Sequence, residues 1–171
     1  AREWVCPEHG GFAAGKFVFP GGTVDPADAA LAGSDAPDGV LRVAAIRETW
    51  EEAGLVLADG TLPPTPPGDD FGGWVRGHGV RLATDALVPF AHWITPEEQP
   101  LRFDTRFFAA VAPPQDPVVD GHEIVALRWM TPAEALEAFQ RKDITLRLPT
   151  IKNLELVQSG GTRADEILGA L

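Results

Sequence analysis

The sequence predicts a single α/β domain of the α+β kind, with strands and helices in mixed order. Three observations support this. A chain of 171 residues is long enough to bury one real core. β-prone runs occur at Phe17-Val18-Phe19, Ala86 to Thr95, Leu101 to Ala112 and His122 to Met130, while helical patterns cover Val40 to Ala53 and Thr131 to Lys142. These elements do not alternate regularly, which disfavours a doubly wound parallel sheet.

Residues 1 to 16 carry little pattern. The Phe17 run ends at Pro20-Gly21-Gly22, a strong turn signal. Thr23 to Gly39 is rich in Asp, Ala, Gly and Pro and reads as a surface loop with a helical turn at Ala27 to Ala32. The first helix should bury Ala45, Ile46, Thr49, Trp50 and Ala53 and stop at Gly54. Thr61 to Asp70 holds four prolines and cannot be regular; Asp69 or Asp70 then caps a short helix from Phe71 to about Arg76. Leu101 to Ala112 begins with alternation and becomes apolar, as a central strand would. Thr131-Pro132-Ala133-Glu134 is a capping box. Thr150 is expected to cap a helix to about Gln158, and Thr162 a last short one.

The composition is 44% hydrophobic and 23% charged, which is globular. The net charge of −11 argues against a nucleic-acid backbone as partner, which needs a basic face. No apolar run approaches the length of a membrane span, and the first residues lack the apolar core of a signal peptide. Cys6 is the one cysteine, so no intrachain disulfide forms, in keeping with a cytoplasmic location.

The chemistry concentrates in Arg47-Glu48-Thr49-Trp50-Glu51-Glu52-Ala53-Gly54-Leu55. Glu48, Glu51 and Glu52 stand at i, i+3 and i+4, on one helix face with Cβ atoms about 5–6 Å apart. Like charges so close repel, and a hard cation such as Mg²⁺ removes the repulsion. The competing reading is a solvated acidic face. Arg47, at i, i+4 from Glu51, either orients that carboxylate or forms an ordinary exposed pair. Gly21-Gly22 either brings backbone close to a metal or is a plain turn. Arg102, Asp104 and Arg106 alternate along one predicted strand, as an ion-paired stripe or as phosphate contacts. Trp74 is either core or a platform for a purine, and none of the four histidines has ligand-like spacing with another.

Pro20-Gly21-Gly22 followed by the Arg47 to Leu55 run resembles the signature of the Nudix hydrolases: Gly, five residues, Glu, seven residues, Arg-Glu-apolar-x-Glu-Glu-x-Gly-apolar. Asp28 follows Gly22 after five intervening residues, in place of Glu, and the two halves are separated by about eleven extra residues. That insertion, Phe19-Pro20-Gly21-Gly22-Thr23-Val24-Asp25, Trp93-Ile94-Thr95-Pro96 and Arg102-Phe103-Asp104-Thr105-Arg106-Phe107-Phe108 resemble the coenzyme A diphosphatases of peroxisomal type and their bacterial relatives.

The resemblance implies a Nudix-type α/β/α sandwich with a mixed central sheet over residues 1–171, carrying a loop insertion at about 23–39 and a helical or loop insertion at about 58–85. It implies metal-dependent cleavage of a diphosphate within a nucleoside diphosphate linked to another group. Coenzyme A or acyl-coenzyme A is the expected substrate, with ADP-ribose, NADH or nucleotide sugars as alternatives. A non-catalytic nucleotide-binding module is the reading from another class. Mg²⁺ or Mn²⁺ would be held by Glu48, Glu51 and Glu52. Arg47, Glu51 and Glu123 would serve the reaction, with Gly21, Gly22 and Arg106 on the substrate. The expected partner is a small nucleotide-type molecule, with neither nucleic acid nor membrane; a homodimer is left open.

Overall fold

The computed structural model describes residues 5–9, 16–32, 38–119, 124–160 and 169. Strand β1 (Val5–His9) lies between β2 (Lys16–Phe17) and β5 (Ile124–Trp129), antiparallel to both. The register with β5 runs from Val5 opposite Trp129 to His9 opposite Ile124, with an irregularity between Glu8 and His9. Both strand pairings described in this sheet are antiparallel, and an isolated parallel bridge joins Phe17 to Leu146 at its edge. Strands β3 (Val88–Ile94) and β4 (Asp104–Ala109) form a separate antiparallel ribbon.

Helix α1 (Gly39–Ala53) touches β1 and β5 of one sheet and β4 of the other. It buries Val43, Ala44, Ile46, Glu52 and Ala53, with Ala45 and Trp50 packed more loosely. Gly54 ends it at φ 67°, its N–H donating to the carbonyls of Thr49 and Trp50. A Cβ there would also meet the backbone of Val118 at 3.2 Å, so glycine answers both the left-handed backbone and the close approach.

Helix α2 (Phe71–His78) completes one core. Phe71, Trp74 and Val75 pack with Ile46, Val56 and Leu87 beneath α1. Asp70 caps α2, its Oδ1 accepting from Gly73 N at 2.7 Å. Trp74 is buried, donates to the Thr65 carbonyl at 2.8 Å and stacks on Phe71, so it is a core residue rather than a purine platform. The excursion carrying α2 returns to its start: Asp59 N donates to Arg81 O, and Ala83 N to Leu57 O.

Helix α3 (Pro132–Gln140) opens with both bonds of the Thr131–Glu134 capping box. It packs on α4 (Leu148–Ser159), and together with Phe17, Ile144 and Leu146 they form the second core.

The described elements depart from the sequence expectations at definite places. Val5–His9, which carries little sequence pattern, is a strand. Helix α4 begins at Leu148, with Arg147 in the cap position; Thr150 lies inside the helix and is buried. Pro149 explains the earlier start, because the first helical turn needs no N–H from it and suits its fixed φ. Ala86 belongs to a 3₁₀ turn (Thr84–Ala86), so β3 starts later than expected. Strand β4 is shorter than Leu101 to Ala112, and among the described residues it pairs with β3 alone. Its apolar run has another cause than a central position: Phe108 packs against the α1–α2 core, and both Phe107 and Phe108 line an open cleft. Arg102 precedes β4, so it does not share the alternation of Asp104 and Arg106. The predicted helix at Thr162 lies outside the described residues.

Candidate active site

The insertion after Gly22 is anchored at its centre. A 3₁₀ turn (Pro26–Ala30) is capped by Asp25, whose Oδ1 accepts from Ala27 N at 2.7 Å, and Asp28 Oδ2 accepts from Asp25 N at 2.8 Å. Asp28 is 1% exposed, which corrects the reading of this stretch as merely a surface loop. Its carboxylate is buried because Arg47 meets it from α1, Nε to Oδ1 at 2.9 Å and Nη2 to Oδ2 at 3.0 Å.

Arg47 holds more than Asp28. Nη1 donates to Glu48 Oε1 at 2.9 Å and to Glu51 Oε2 at 2.8 Å, and Nη2 donates to the Thr23 carbonyl at 2.9 Å. One guanidinium thus ties the inserted segment to two carboxylates of α1. The Asp28 hydrogen bond, foremost, holds its pKa above the ordinary arginine value. An arginine suits this place because its planar fork satisfies several oxygens at once.

The other wall is the glycine turn. Gly21 N donates to Glu52 Oε2 at 3.2 Å. A Cβ on Gly22 would lie 2.5–2.6 Å from the Glu48 carboxylate oxygens, so only glycine lets the turn come this close. Glu48 and Glu52, one helical turn apart, therefore converge on the same two residues. Glu52 is 4% exposed, and burial pushes the Glu48 carboxyl above its ordinary value against the pull of Arg47.

A carboxylate whose charge is penalised by burial, beside a second one, is a setting in which a hard cation stabilises the ionised form. Among the described residues no three His, Cys, Asp or Glu side chains form a ready cage. Two carboxylates at a glycine turn suit Mg²⁺ or Mn²⁺ nonetheless, since Mg²⁺ keeps several waters and takes its remaining oxygens from substrate phosphates. The donor set fits. Glu51, half-exposed at 46%, is engaged by Arg47. Glu123 lies outside the described residues.

Gly21, Gly22 and Glu48 open onto a cleft of about 1940 Å³ that runs along the β3–β4 ribbon. Arg106 lines it, 3.0 Å from Asp104, whose Oδ1 also meets His92 Nε2 at 2.6 Å. Lys16 and Arg147 add cationic lining. The spacing of Asp28 after Gly22 was the sequence signal for the buried pair with Arg47. The contact of Gly21 with Glu52, by contrast, has no local signal, because 31 residues separate them.

Comparison with known proteins agrees with this geometry. The family profile described as NUDIX domain matches residues 2–148. The chain is 34% identical over 139 residues to a human protein named acyl-coenzyme A diphosphatase NUDT19, covering 66% of this chain and 37% of that protein. A Gallus gallus protein of the same name is 32% identical over 177 residues, 79% of this chain and 46% of the relative. The chain thus spans less than half the length of these two relatives. A crystal structure of a NUDIX hydrolase from Alicyclobacillus acidocaldarius superposes with a TM-score of 0.79 at 29% identity, covering 96% of this chain and 86% of that one. With the Gly21-Gly22 turn set against Glu48 and Glu52, and the family profile spanning most of its length, this chain belongs to the Nudix hydrolase family.

Proposed function

We propose that this chain hydrolyses a diphosphate bond in a nucleoside diphosphate linked to another moiety, and that the substrate is coenzyme A or an acyl-coenzyme A. The products are then 3′,5′-ADP and 4′-phosphopantetheine or its acyl derivative. The observation that carries the reading is the convergence of Glu48 and Glu52 on Gly21-Gly22 at the wall of a long cleft. The names of the relatives at 34% and 32% identity support the choice of substrate.

Glu48 and Glu52, with Glu51 beside them, would hold Mg²⁺ or Mn²⁺. Such a cation, when bound, supplies Lewis acidity toward a phosphoryl oxygen and lowers the pKa of a bound water. The chain's own part is positioning. The glycine turn admits a phosphate close to the helix. Arg47 fixes the Glu48 and Glu51 carboxylates, and Asp28 fixes Arg47. Arg106 and Lys16 present positive charge to the phosphates along the cleft. Glu123 is the proposed acceptor of the proton from the attacking water. The water oxygen ends on one phosphorus, the bridging P–O bond breaks, and a proton is released.

The substrate is a small nucleotide-type molecule, and no nucleic acid or membrane partner is proposed. No helix among the described residues is long and apolar enough to cross a membrane. The lone Cys6 suits a reducing compartment such as the cytoplasm, and a homodimer is compatible with the reading.

The test is a panel of coenzyme A, acetyl-coenzyme A, ADP-ribose, NADH and nucleotide sugars with Mg²⁺ or Mn²⁺, products resolved by mass. Release of 3′,5′-ADP from coenzyme A or its ester supports the reading. Cleavage of ADP-ribose with coenzyme A untouched overturns the substrate and leaves diphosphate hydrolysis in place. Metal-independent binding of a nucleotide without any turnover indicates a binding module instead.

A further inference from the structure

The proposed reaction uses Arg106 but gives no part to its two polar neighbours, Asp104 and His92. Strand register sets the three together. His92 on β3 stands directly opposite Arg106 on β4, and Ile94 opposite Asp104, so the polar side chains share one face of the ribbon. Trp93, Thr105 and Phe107 belong to the other face. The polar face is anchored at both ends. Phe108 packs against the α1–α2 core, with the Arg42 guanidinium 5.4 Å from its ring centre. The turn is closed by Thr95, whose N–H donates to Phe103 O at 2.9 Å and whose Oγ1 accepts from Phe103 N at 3.0 Å.

One carboxylate oxygen serves both neighbours. Asp104 Oδ1 accepts from Arg106 Nη1 at 3.0 Å and meets His92 Nε2 at 2.6 Å. An ionised carboxylate only accepts, so Nε2 carries a proton and Nδ1 is the nitrogen that gains or loses one. Among the described residues neither His92 nor Arg106 has another hydrogen-bond or ion-pair partner. Arg106 is thus held by one nitrogen, where an arginine and a carboxylate often join by two. Its remaining N–H groups are left for the cleft that it lines together with Gly21, Gly22 and Glu48.

We propose that His92 is a positioning residue for Arg106: through the shared Asp104 oxygen, its charge sets how strongly Arg106 attracts the diphosphate of a substrate. The inference rests on the reading of the cleft as a diphosphate site and adds to it a proton-linked control of affinity.

The physics is a competition for one carboxylate. With His92 neutral, Asp104 offsets the charge of Arg106. An imidazole is the side chain that ordinarily changes charge between about pH 5 and 8. With His92 protonated, Asp104 is divided between two cations, and the cluster carries net positive charge beside the cleft. A diphosphate is then held more tightly, and by linkage its binding favours the proton on His92. Affinity should be higher in mild acid and fall as pH rises through the titration of the imidazole. The charged groups that meet His92 are Asp104 directly and Arg106 through it. Helix α4 reaches β3 through the bond of Asn153 to Trp93, on the opposite face, and neither of these titrates.

The competing reading is an ion-paired stripe that only holds the ribbon together. The experiment measures calorimetric binding of dephospho-coenzyme A and of ADP-ribose to the full chain without metal, at about pH 6 and about pH 8. Each ligand carries a diphosphate diester and no phosphate monoester, so its own charge is constant over this range. Wild-type affinity should fall about three- to fivefold from the lower to the higher pH, the scale of a partly exposed charge pair. His92→Gln keeps an N–H donor and never charges. It should match the wild type at the higher pH and bind about three- to fivefold more weakly at the lower. His92→Lys is charged throughout, so it should match the wild type at the lower pH and bind more tightly at the higher. His92 is partly exposed, so both variants should fold. Glu48, whose carboxyl lies above its ordinary value, is common to all three proteins and does not enter the comparison. In turnover with Mn²⁺ the same differences should fall on KM rather than kcat; where binding needs the metal, KM is read by the same criteria. Variants that match the wild type at both pH values, or weaken by one factor at both, overturn the role of His92 and leave the hydrolysis standing. Proton-linked binding that depends on residue 92, with nothing hydrolysed, keeps that role and overturns the proposed reaction. If neither diphosphate is bound or turned over at either pH, both fail.

Discussion

Asp28 and Arg47 form a two-pronged ion pair, at 2.9 and 3.0 Å, in which the carboxylate is 1% exposed. The pair joins the insertion to the helix carrying Glu48, Glu51 and Glu52. Removing one member of such a buried pair leaves the other charged and without its main partner, which costs about 3 kcal/mol or more. Asp28→Asn should therefore lower the urea-derived stability by about that much. It should also lower kcat by about tenfold to a hundredfold, as Arg47 loses its fixed position. Stability and turnover both at wild-type values would show that Arg47 is held in place by its other contacts.

Gly22 stands hard against the Glu48 carboxylate of α1. A methyl group there would stand 2.5–2.6 Å from the Glu48 oxygens, inside any ordinary contact. Gly22→Ala should displace that carboxylate, so Mn²⁺ affinity measured by calorimetry should fall about tenfold or more, with kcat falling alongside. The Tm should change little, because Gly22 is exposed and belongs to neither core. Unchanged Mn²⁺ affinity would separate Glu48 from the cation.

Glu134 sits in the capping box of α3, where the Thr131 backbone N–H and then its hydroxyl hold the carboxyl below its ordinary value. A depressed folded pKa contributes stability at pH above the unfolded value. That contribution is lost as pH falls through the folded value. The urea midpoint of the wild type should thus decline in the acid range more steeply than that of Glu134→Gln. Thr131→Ala should cost about 1 kcal/mol at neutral pH through the lost cap. Parallel acid profiles for wild type and Glu134→Gln would contradict the assignment.

Gln115 acts as a surrogate strand for Val56. Its Oε1 accepts from Val56 N and its Nε2 donates to Val56 O, both at 2.9 Å, and Val56 is 2% exposed. Gln115→Leu leaves both backbone groups of Val56 without these partners and should cost about 2 kcal/mol in equilibrium unfolding. A loss below a few tenths of a kcal/mol would mean that other groups replace the amide.

Much of the site was legible in the sequence because its signals are local. The i, i+3, i+4 carboxylates, Arg47 one turn from Glu51, the Gly54 stop and the Thr131–Glu134 box each lie within a few residues and are read by helix geometry alone. What escaped depends on distant partners. Strand β1 carries Pro7, Glu8 and His9 and has no clean alternation; pairing with β5, more than a hundred residues later, makes it a strand. Asp28 was visible by its spacing from Gly22, but its depth comes from Arg47. The apolar run from Leu101 looked like a buried central strand because a sequence does not distinguish a core from a cleft wall. Thr150 has the pattern of a cap, a threonine before an apolar run, but Pro149 suits the first helical turn and sets the start upstream.

The most direct measurement is the turnover of Glu52→Gln on the diphosphate substrate that the wild type cleaves, alongside its Mn²⁺ binding. Glutamine keeps the size of Glu52 and an oxygen to accept the Gly21 N–H but removes the charge that would hold the cation. The predicted result is a loss of several orders of magnitude in kcat, weakened Mn²⁺ binding and a preserved fold by circular dichroism. Near-wild-type turnover in a folded Glu52→Gln protein would contradict the assignment of Glu48 and Glu52 as the metal-holding pair.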